Sequence, residues 1–265
     1  MTALSVITVT HDRCELLRRK LAALAAQTLP PERFELVVLA NGCTDGTLRL
    51  LRDAAPAYRL TVLESRTQLG PGAARNRCAA AAAGGVLYFS DDDCLPDPET
   101  VAKHLAAQAK PCVAVGSLTF VYGGTRETWR PRQIGFWNLN GANSSVPVAA
   151  FRAARGFDET LSGYGGEDVA LGYALRALPF VALPDAGAVH MGPNPVRSGD
   201  LHKARSAGRN AVRLASRHPE LAYRLGVHPA LLALKRLLFR PGLNLSPTYR
   251  YERAYLEGAL EERRV

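Results

Sequence analysis

Three carboxylates stand side by side at Asp91-Asp92-Asp93, after a short apolar run, Val86-Leu87-Tyr88-Phe89, and before Cys94-Leu95-Pro96-Asp97. The apolar run reads as a buried strand. Adjacent like charges repel, so a cluster at the end of such a strand needs compensation wherever it is even partly buried. A hard divalent cation supplies it, since Mg²⁺ and Mn²⁺ take carboxylate and phosphate oxygens. Side chains alternate along a strand, which would put Asp91 and Asp93 on one side as ligands. The other reading is a solvated acidic turn closed by Pro96, and the cluster alone does not choose between the two.

The elements that must position these residues follow from the pattern around them. Ser5–Thr10 is β-branched and reads as a buried strand, followed by His11-Asp12-Arg13 with Asp12 as N-cap of a helix over Glu15–Gln27. Glu35–Leu39 is a second strand, Asn41–Thr47 a loop, Leu48–Ala54 a helix, and Leu60–Leu63 a third strand. Gly70-Pro71-Gly72 opens an Ala-rich helix that ends at Gly84-Gly85. Strand and helix alternating at this spacing predict a doubly wound, mostly parallel α/β sheet, whose ligands lie at the carboxyl ends of the strands. His11, Asn41 and Asp91–Asp93 each fall just past such an end. The second half is less regular: a helix over Pro98–Gln108, one or two strands over Val113–Tyr122, a mobile loop over Gly123–Trp137, and a small polar stretch over Asn138–Ser145. A helix follows Glu167-Asp168, Val181–Leu183 is a last strand, and His190 comes soon after it.

With 265 residues, the chain is expected to form one large α/β domain, or one domain plus an extension. Net charge is +9 and 47% of residues are apolar, which suits a globular protein with an anionic ligand. The excess charge gathers from Arg197 through Lys203, Arg205, Arg209, Arg213, Arg217, Arg224, Lys235 and Arg236 to Arg240. These residues interleave with leucines at helical spacing, and no nucleic-acid motif accompanies them, so no nucleic-acid partner is expected. A solvated helical face is the first explanation, and a peripheral membrane contact is the second. Five scattered cysteines form no C-x-x-C pair, which points to neither a disulfide framework nor a zinc knuckle. With no signal peptide pattern and no membrane span, a reducing cytoplasmic setting fits, with membrane association as the variant.

Other residues carry two readings each. Glu167 and Asp168 open a helix behind Gly165-Gly166, where acidic side chains also serve the helix dipole. Asp168 is the candidate general base once the upstream cluster is considered. Arg75 is either a helix-surface cation or a partner of Asp91 or of a diphosphate. Trp129 and Trp137 are core residues or stack on the face of a ligand.

Taken together, four ordered segments resemble a family-2 glycosyltransferase of the GT-A fold: Ser5–Arg13, Asn41–Thr47, Gly70–Asn76 with its Ala-Arg-Asn, and Asp91–Pro98 with its D-x-D. Gly165-Gly166-Glu167-Asp168 is similar to the family's acceptor-side Glu-Asp. Val9, His11, Asp12 and Ala40 depart from the usual pattern. The resemblance implies an inverting transferase that uses a nucleotide-diphosphate sugar, a UDP-sugar first, with Mn²⁺ or Mg²⁺. It implies that Thr10, His11, Arg13, Asn41, Arg75, Asp91 and Asp92 bind the donor, with Asn41 on the base and Asp92 on the ribose or sugar. Asp93, Asp91 and the late His190 would hold the metal, although a lone histidine also serves as a structural residue. Asp168 would be the base and Glu167 would orient the acceptor, whether a glycan, a lipid-linked sugar or a small molecule. The expected organisation is a transferase domain over 1–198, divided near residue 97 into nucleotide and acceptor halves, and a basic helical extension over 199–265. A sugar nucleotidyltransferase is the competing enzyme class. It would want a glycine-rich phosphate loop where His11-Asp12-Arg13 stands. A non-catalytic nucleotide- or nucleic-acid-binding protein is the third.

Overall fold

The computed structural model describes residues 2–192, 200–239 and 246–264. Arg197, Arg240 and the boundary expected at 198/199 lie outside these residues. Strands β1 (Leu4–Thr10), β2 (Phe34–Asn41), β3 (Arg59–Ser65) and β4 (Val86–Phe89) are parallel neighbours in the order β3-β2-β1-β4. Helices α1 (Cys14–Ala25), α2 (Thr47–Asp53) and α3 (Pro71–Ala81) connect them. β1, β2 and β4 are covered on both faces, which is why they read as nearly continuous apolar runs. Ile7, Val37, Leu39, Leu87 and Phe89 pack toward Ala74 and Cys78 of α3. The intervening Leu4, Val6, Leu36, Val38 and Tyr88 pack toward Leu17 and Leu24 of α1 and Leu51 of α2. The sheet is therefore doubly wound, with helices on both sides.

The sheet continues from β4 into β8 (Ser144–Pro147), β6 (Val113–Tyr122), β9 (Phe180–His190) and β5 (Cys94–Pro96). Here β6 and β9 are parallel, whereas β4–β8, β8–β6 and β9–β5 are antiparallel. Helices α4 (Thr100–Ala107), α5 (Val148–Ala153) and α6 (Glu167–Ala174) cover this half.

Three sequence expectations change. The stretch expected to be a mobile loop contains β7 (Thr125–Trp129), paired antiparallel to β6. Gly123 and Gly124 both take positive φ in the two-residue turn, the backbone that a tight hairpin requires. The end of the small polar stretch is core and its last two residues belong to β8: Asn143, Ser144 and Ser145 are fully buried. Asn143 Oδ1 accepts from the Tyr88 hydroxyl and lies 2.9 Å from His104 Nε2, and its amide donates to Ser117 and Ala186 carbonyls. Burial holds His104 down to about 4, so this network is neutral at pH 7. The last strand runs well beyond Leu183 and ends on His190 itself.

The basic region forms α7 (Leu201–Arg217), α8 (Pro229–Leu238) and α9 (Pro247–Glu262). Its charge is in large part internally paired. Arg205 pairs with Glu257, Arg209 with Glu261, Arg213 with Glu262, and Lys235 with Glu252. That pairing leaves less basic surface than the sequence suggested. No helix among the described residues is long and apolar enough to cross a membrane.

α7 and α9 cross with their backbones in contact. A Cβ on Gly208 would overlap the Tyr255 carbonyl, and one on Gly258 would overlap the Arg205 carbonyl. Gly258→Leu is therefore expected to lose about 1–3 kcal/mol through overpacking. Hydrogen exchange should accelerate in α7 and α9 while β1–β4 stay protected; unchanged exchange in α9 would contradict the crossing.

Candidate active site

β4 ends at Phe89, and Asp91-Asp92-Asp93 turn the chain into β5, closed by Cys94 N donating to Asp91 O at 3.0 Å. The turn interrupts strand alternation, so Asp91 and Asp93 do not share a side as the sequence suggested. Asp91 faces Arg75 of α3 at 2.9 Å. Asp92 and Asp93 instead share Nη1 of Arg13, at 2.9 and 2.7 Å. Burial pushes Asp92 up to about 6, against the pull of Arg13 and with the help of Asp93.

A third cation lies behind the turn. Lys20 of α1 is fully buried and donates to Ser90 Oγ, to the Cys94 carbonyl at 2.7 Å and to the Asp91 carbonyl at 3.3 Å. Burial pulls its pKa down to about 8, while the surrounding negative groups hold it up. The sequence reading missed Lys20. Its signal was a lysine on the face shared by Leu17 and Leu24. Arg13, Arg75 and Lys20 thus offset part of the charge of the three carboxylates from within the protein, with Arg75 shared with Glu167 and Asp168, so the number of charges by itself does not decide for a metal.

The donor set for a metal rests on other geometry. Asp93 Oδ1 and His190 Nε2 are 3.7 Å apart, too far for a hydrogen bond. Two ligands each about 2.1 Å from one Mg²⁺ lie at most about 4.2 Å apart, so the pair fits one hard dication. The other ring nitrogen of His190 is buried without a hydrogen-bond partner among the described residues. Cys94 completes the cluster; carboxylate is the donor that hard Mg²⁺ and Mn²⁺ prefer over a thiol, which favours Asp93, with His190 beside it. Asp91, turned toward Arg75, is not part of this group.

Along the same edge, Thr10 is buried at the end of β1, and His11 Nδ1 is 2.9 Å from the Asn41 carbonyl. The Asn41 amide both donates to and accepts from the Leu69 main chain. Asp12 is not the N-cap that the sequence suggested. Arg13 occupies that position, and Asp12, with φ 50°, accepts from the Thr44 and Asp45 amides, tying the first loop to the second.

Arg75 joins this edge to the segment that carries Glu167 and Asp168. It is nearly buried, not a surface cation. Nη2 holds Asp91, and Nη1 lies 3.4 Å from Glu167 and 3.9 Å from Asp168. Burial disfavours its charge, but Asp91, Asp168 and Glu167 outweigh that and hold it more firmly protonated than usual. Gly141 lets the chain pass against the guanidinium, where a Cβ would overlap it. The Gly141 N–H donates to Asp168 Oδ2 at 3.1 Å. Burial raises the Asp168 carboxyl above its usual range; Arg75 opposes the shift and Glu167 adds to it.

Glu167 and Asp168 open α6 behind Gly165 and Gly166, whose positive φ values form the sharp approach. That approach is braced from two directions. Asn76 exchanges hydrogen bonds with the Phe157 main chain. From α7, Ser206 Oγ accepts from the Tyr164 N–H, and Asn210 donates to the Ser162 and Gly165 carbonyls at 3.0 and 2.7 Å. No local pattern in the sequence marks Ser206 or Asn210 for this role.

Residues 5–164 match the model of Glycosyl transferase family 2. The chain is 32% identical over 219 residues to validoxylamine A glucosyltransferase of Streptomyces hygroscopicus subsp. limoneus, covering 66% of this chain and 48% of that protein. It is also 32% identical over 126 residues to glycosyltransferase AglE of Haloferax volcanii, covering 46% and 41% respectively. The chain thus spans about half the length of these relatives or less. Its fold is similar to that of mannosyltransferase PcManGT from Pyrobaculum calidifontis in complex with GDP-Man and Mn²⁺. That match has a TM-score of 0.67 and 20% identity, over 98% of this chain and 86% of that one. It is also similar to S. aureus TarS 1-349 in complex with UDP, with a TM-score of 0.64 and 19% identity over 99% and 92%. At these identities the likeness is one of fold, the GT-A fold.

Removing the central cation leaves several carboxylates uncompensated. Arg75→Met is expected to cost about 3–5 kcal/mol at pH 8, the usual effect of breaking a buried ion pair. Without Arg75 the native carboxyls bind protons more tightly than the unfolded ones, so native stability gains as pH falls. The deficit against the parent should therefore shrink from pH 8 to pH 5 in urea titrations. A pH-independent deficit would mean that packing, not charge, is what Arg75 supplies.

Proposed function

The chain belongs to glycosyl transferase family 2, and from that premise we propose that it transfers a sugar from a UDP-sugar to an acceptor hydroxyl with inversion at the anomeric carbon. The observation that carries this reading is the span of Arg75, which holds Asp91 with one nitrogen and faces Glu167 and Asp168 with another. Donor-side and acceptor-side carboxylates are thereby fixed at neighbouring positions with distinct environments.

Such a transfer needs a stabilised leaving diphosphate, a deprotonated acceptor and the exclusion of water. Asp93 and His190 would hold Mn²⁺ or Mg²⁺, which acts as a Lewis acid toward the diphosphate when bound. Thr10, His11, Arg13 and Asn41 line the nucleotide edge, and Asp92 faces the ribose or sugar. Arg13 is the half-exposed cation of the acidic turn. Its planar fork suits phosphate oxygens, for which it can exchange its carboxylate partners. Asp168 takes the acceptor proton as the hydroxyl attacks from the face opposite the diphosphate, and Glu167 orients the acceptor. One displacement suffices, so no protein nucleophile is needed. UDP is the proposed nucleotide in line with the TarS complex, and a divalent metal accords with the Mn²⁺ of the PcManGT complex. In this reading residues 1–97 serve the donor and 98–198 the acceptor, while α7 of the C-terminal region braces the acceptor side.

Asp93→Ala is expected to abolish the Mn²⁺-dependent enhancement of UDP binding in calorimetry while circular dichroism stays unchanged. Metal-enhanced affinity equal to that of the parent would remove Asp93 from the site.

Asp168→Asn should keep donor affinity and reduce single-turnover transfer by about 10²–10⁴-fold, the usual contribution of a general base. A base works ionised, and burial raises this carboxyl. Activity of the parent should therefore rise with pH along a limb above the ordinary carboxylate range and fade below it. An Asp168→Asn enzyme of near-parental rate would transfer the role to Glu167.

A further inference from the structure

Strands β5 and β9 run antiparallel with Cys94 directly opposite His190. Residues paired in this way project to the same face, with Cβ atoms about 4.5–5.5 Å apart. Asp93 precedes Cys94, and its carbonyl accepts from the Met191 N–H at 2.8 Å, which ties it to the same pair of strands. The three side chains converge. Asp93 Oδ1 lies 3.6 Å from Cys94 Sγ and 3.7 Å from His190 Nε2. One ligand atom from each residue falls within 4.8 Å of the other two.

These spacings fit a tetrahedral ion. Ligands bonded to one Zn²⁺ at about 2.0–2.3 Å lie about 3.3–3.8 Å apart, and both distances from Asp93 Oδ1 fall in that range. Carboxylate, thiolate and imidazole are also the three side-chain ligand types that zinc takes. Mg²⁺ and Mn²⁺ use the carboxylate and leave the thiol idle. Zn²⁺ uses both, and it stands above Mn²⁺ in affinity for mixed nitrogen, oxygen and sulfur sites.

The surroundings suit a coordinated thiolate. Cys94 is fully buried and packs with Leu118, Ala142 and Ala188. A thiol that binds a metal gives up its proton, and Lys20, which donates to the Cys94 carbonyl at 2.7 Å, puts a cation behind it. Arg13 holds the other oxygen of Asp93, Oδ2, at 2.7 Å, and Asp91 turns to Arg75, so Oδ1 is the oxygen that faces the cysteine and the histidine. Phe120 packs on the His190 imidazole with ring centroids 5.1 Å apart and holds its orientation. Asp93 and His190 keep part of their side chains exposed, which leaves an entry for an ion from the ligand-binding edge. We propose that Asp93, Cys94 and His190 form a zinc site that overlaps the one proposed for Mn²⁺ or Mg²⁺, and that Zn²⁺ bound there excludes the working metal. The exclusion rests on the transferase reading above; the zinc ligands do not.

Co²⁺ replaces Zn²⁺ in such sites and shows a charge-transfer absorption when a thiolate is among its ligands. The full chain, stripped of metal by a chelator and kept reduced, would be titrated with Co²⁺ and then with Zn²⁺. The expected result is a saturable sulfur-to-cobalt band that Zn²⁺ abolishes. Cys94→Ser should lose the band and bind Zn²⁺ at least about tenfold more weakly in calorimetry, since removing a residue that only supports a metal ligand already costs that much. Cys43→Ser should keep the band; Cys43 belongs with Asp12 and Asp45 to the other such cluster among the described residues. With UDP present, one equivalent of Zn²⁺ should release bound Mn²⁺, read from the free-ion signal in electron paramagnetic resonance. No sulfur band in the parent, an observation that needs no variant to fold, overturns the zinc site, as does a band that survives Cys94→Ser. Mn²⁺ that stays bound overturns the exclusion. UDP binding with Mn²⁺, measured by calorimetry, judges the transferase reading separately: if UDP fails to bind, that reading falls, while the cobalt band still decides the zinc ligands.

Discussion

The site depends on one guanidinium shared among carboxylates from distant parts of the chain. Asp91, Glu167 and Asp168 could not approach one another this closely without Arg75, because like charges in a half-buried setting repel strongly. The geometry also explains why arginine is needed. A planar fork with five donors can face two directions at once, which an ammonium point charge does with much less orientation. The demand extends outward to Gly141, where any side chain would displace the guanidinium, and to the Gly165–Gly166 approach that aims the start of α6 at it.

The acidic turn is organised on the same principle with a different outcome. Lys20 is locked behind it and Arg13 is half exposed in front, so the fixed compensation is internal and the exchangeable compensation faces the edge where ligands bind. Asp92 remains poorly served, as its raised pKa shows. A carboxylate held in an unfavourable state by its surroundings is a common mark of a site shaped for binding and not for stability. The case for a metal accordingly comes from the Asp93–His190 spacing and not from the number of negative charges.

The first half of the fold was legible because β1, β2 and β4 are buried on two faces and its helices on one, so periodicity and turn residues marked nearly every element. Asp91–Asp93, Arg75, Glu167 and Asp168 were legible by residue type and order. Their pairing was not, since strand alternation does not survive the turn after Phe89. Asn143–Ser145 read only as small and polar, with no sign of burial, because the partners that permit it, Tyr88 and His104, are long-range. The β6–β7 hairpin was hidden by an exposed, polar second strand. The basic helices were legible as helices, but helical spacing names no partner, so neither the glutamates of α9 nor the loop held by Ser206 and Asn210 could be read from it.

The brace on the Gly163–Gly166 approach comes from a helix 42 to 48 residues later in the chain, which is itself held by a helix later still. Ribosomal synthesis proceeds from the N-terminus, so the two halves differ in when they can mature. The parallel strands and the acidic turn can assemble from sequence already made, whereas the segment that aims Asp168 waits for α7, and α7 for α9. A chain interrupted in that interval would hold the parallel strands and the acidic turn beside an unbraced Gly163–Gly166 approach. Placing the brace downstream therefore makes the start of α6 settle after the parallel strands, a temporal order written into the topology and not into any single residue.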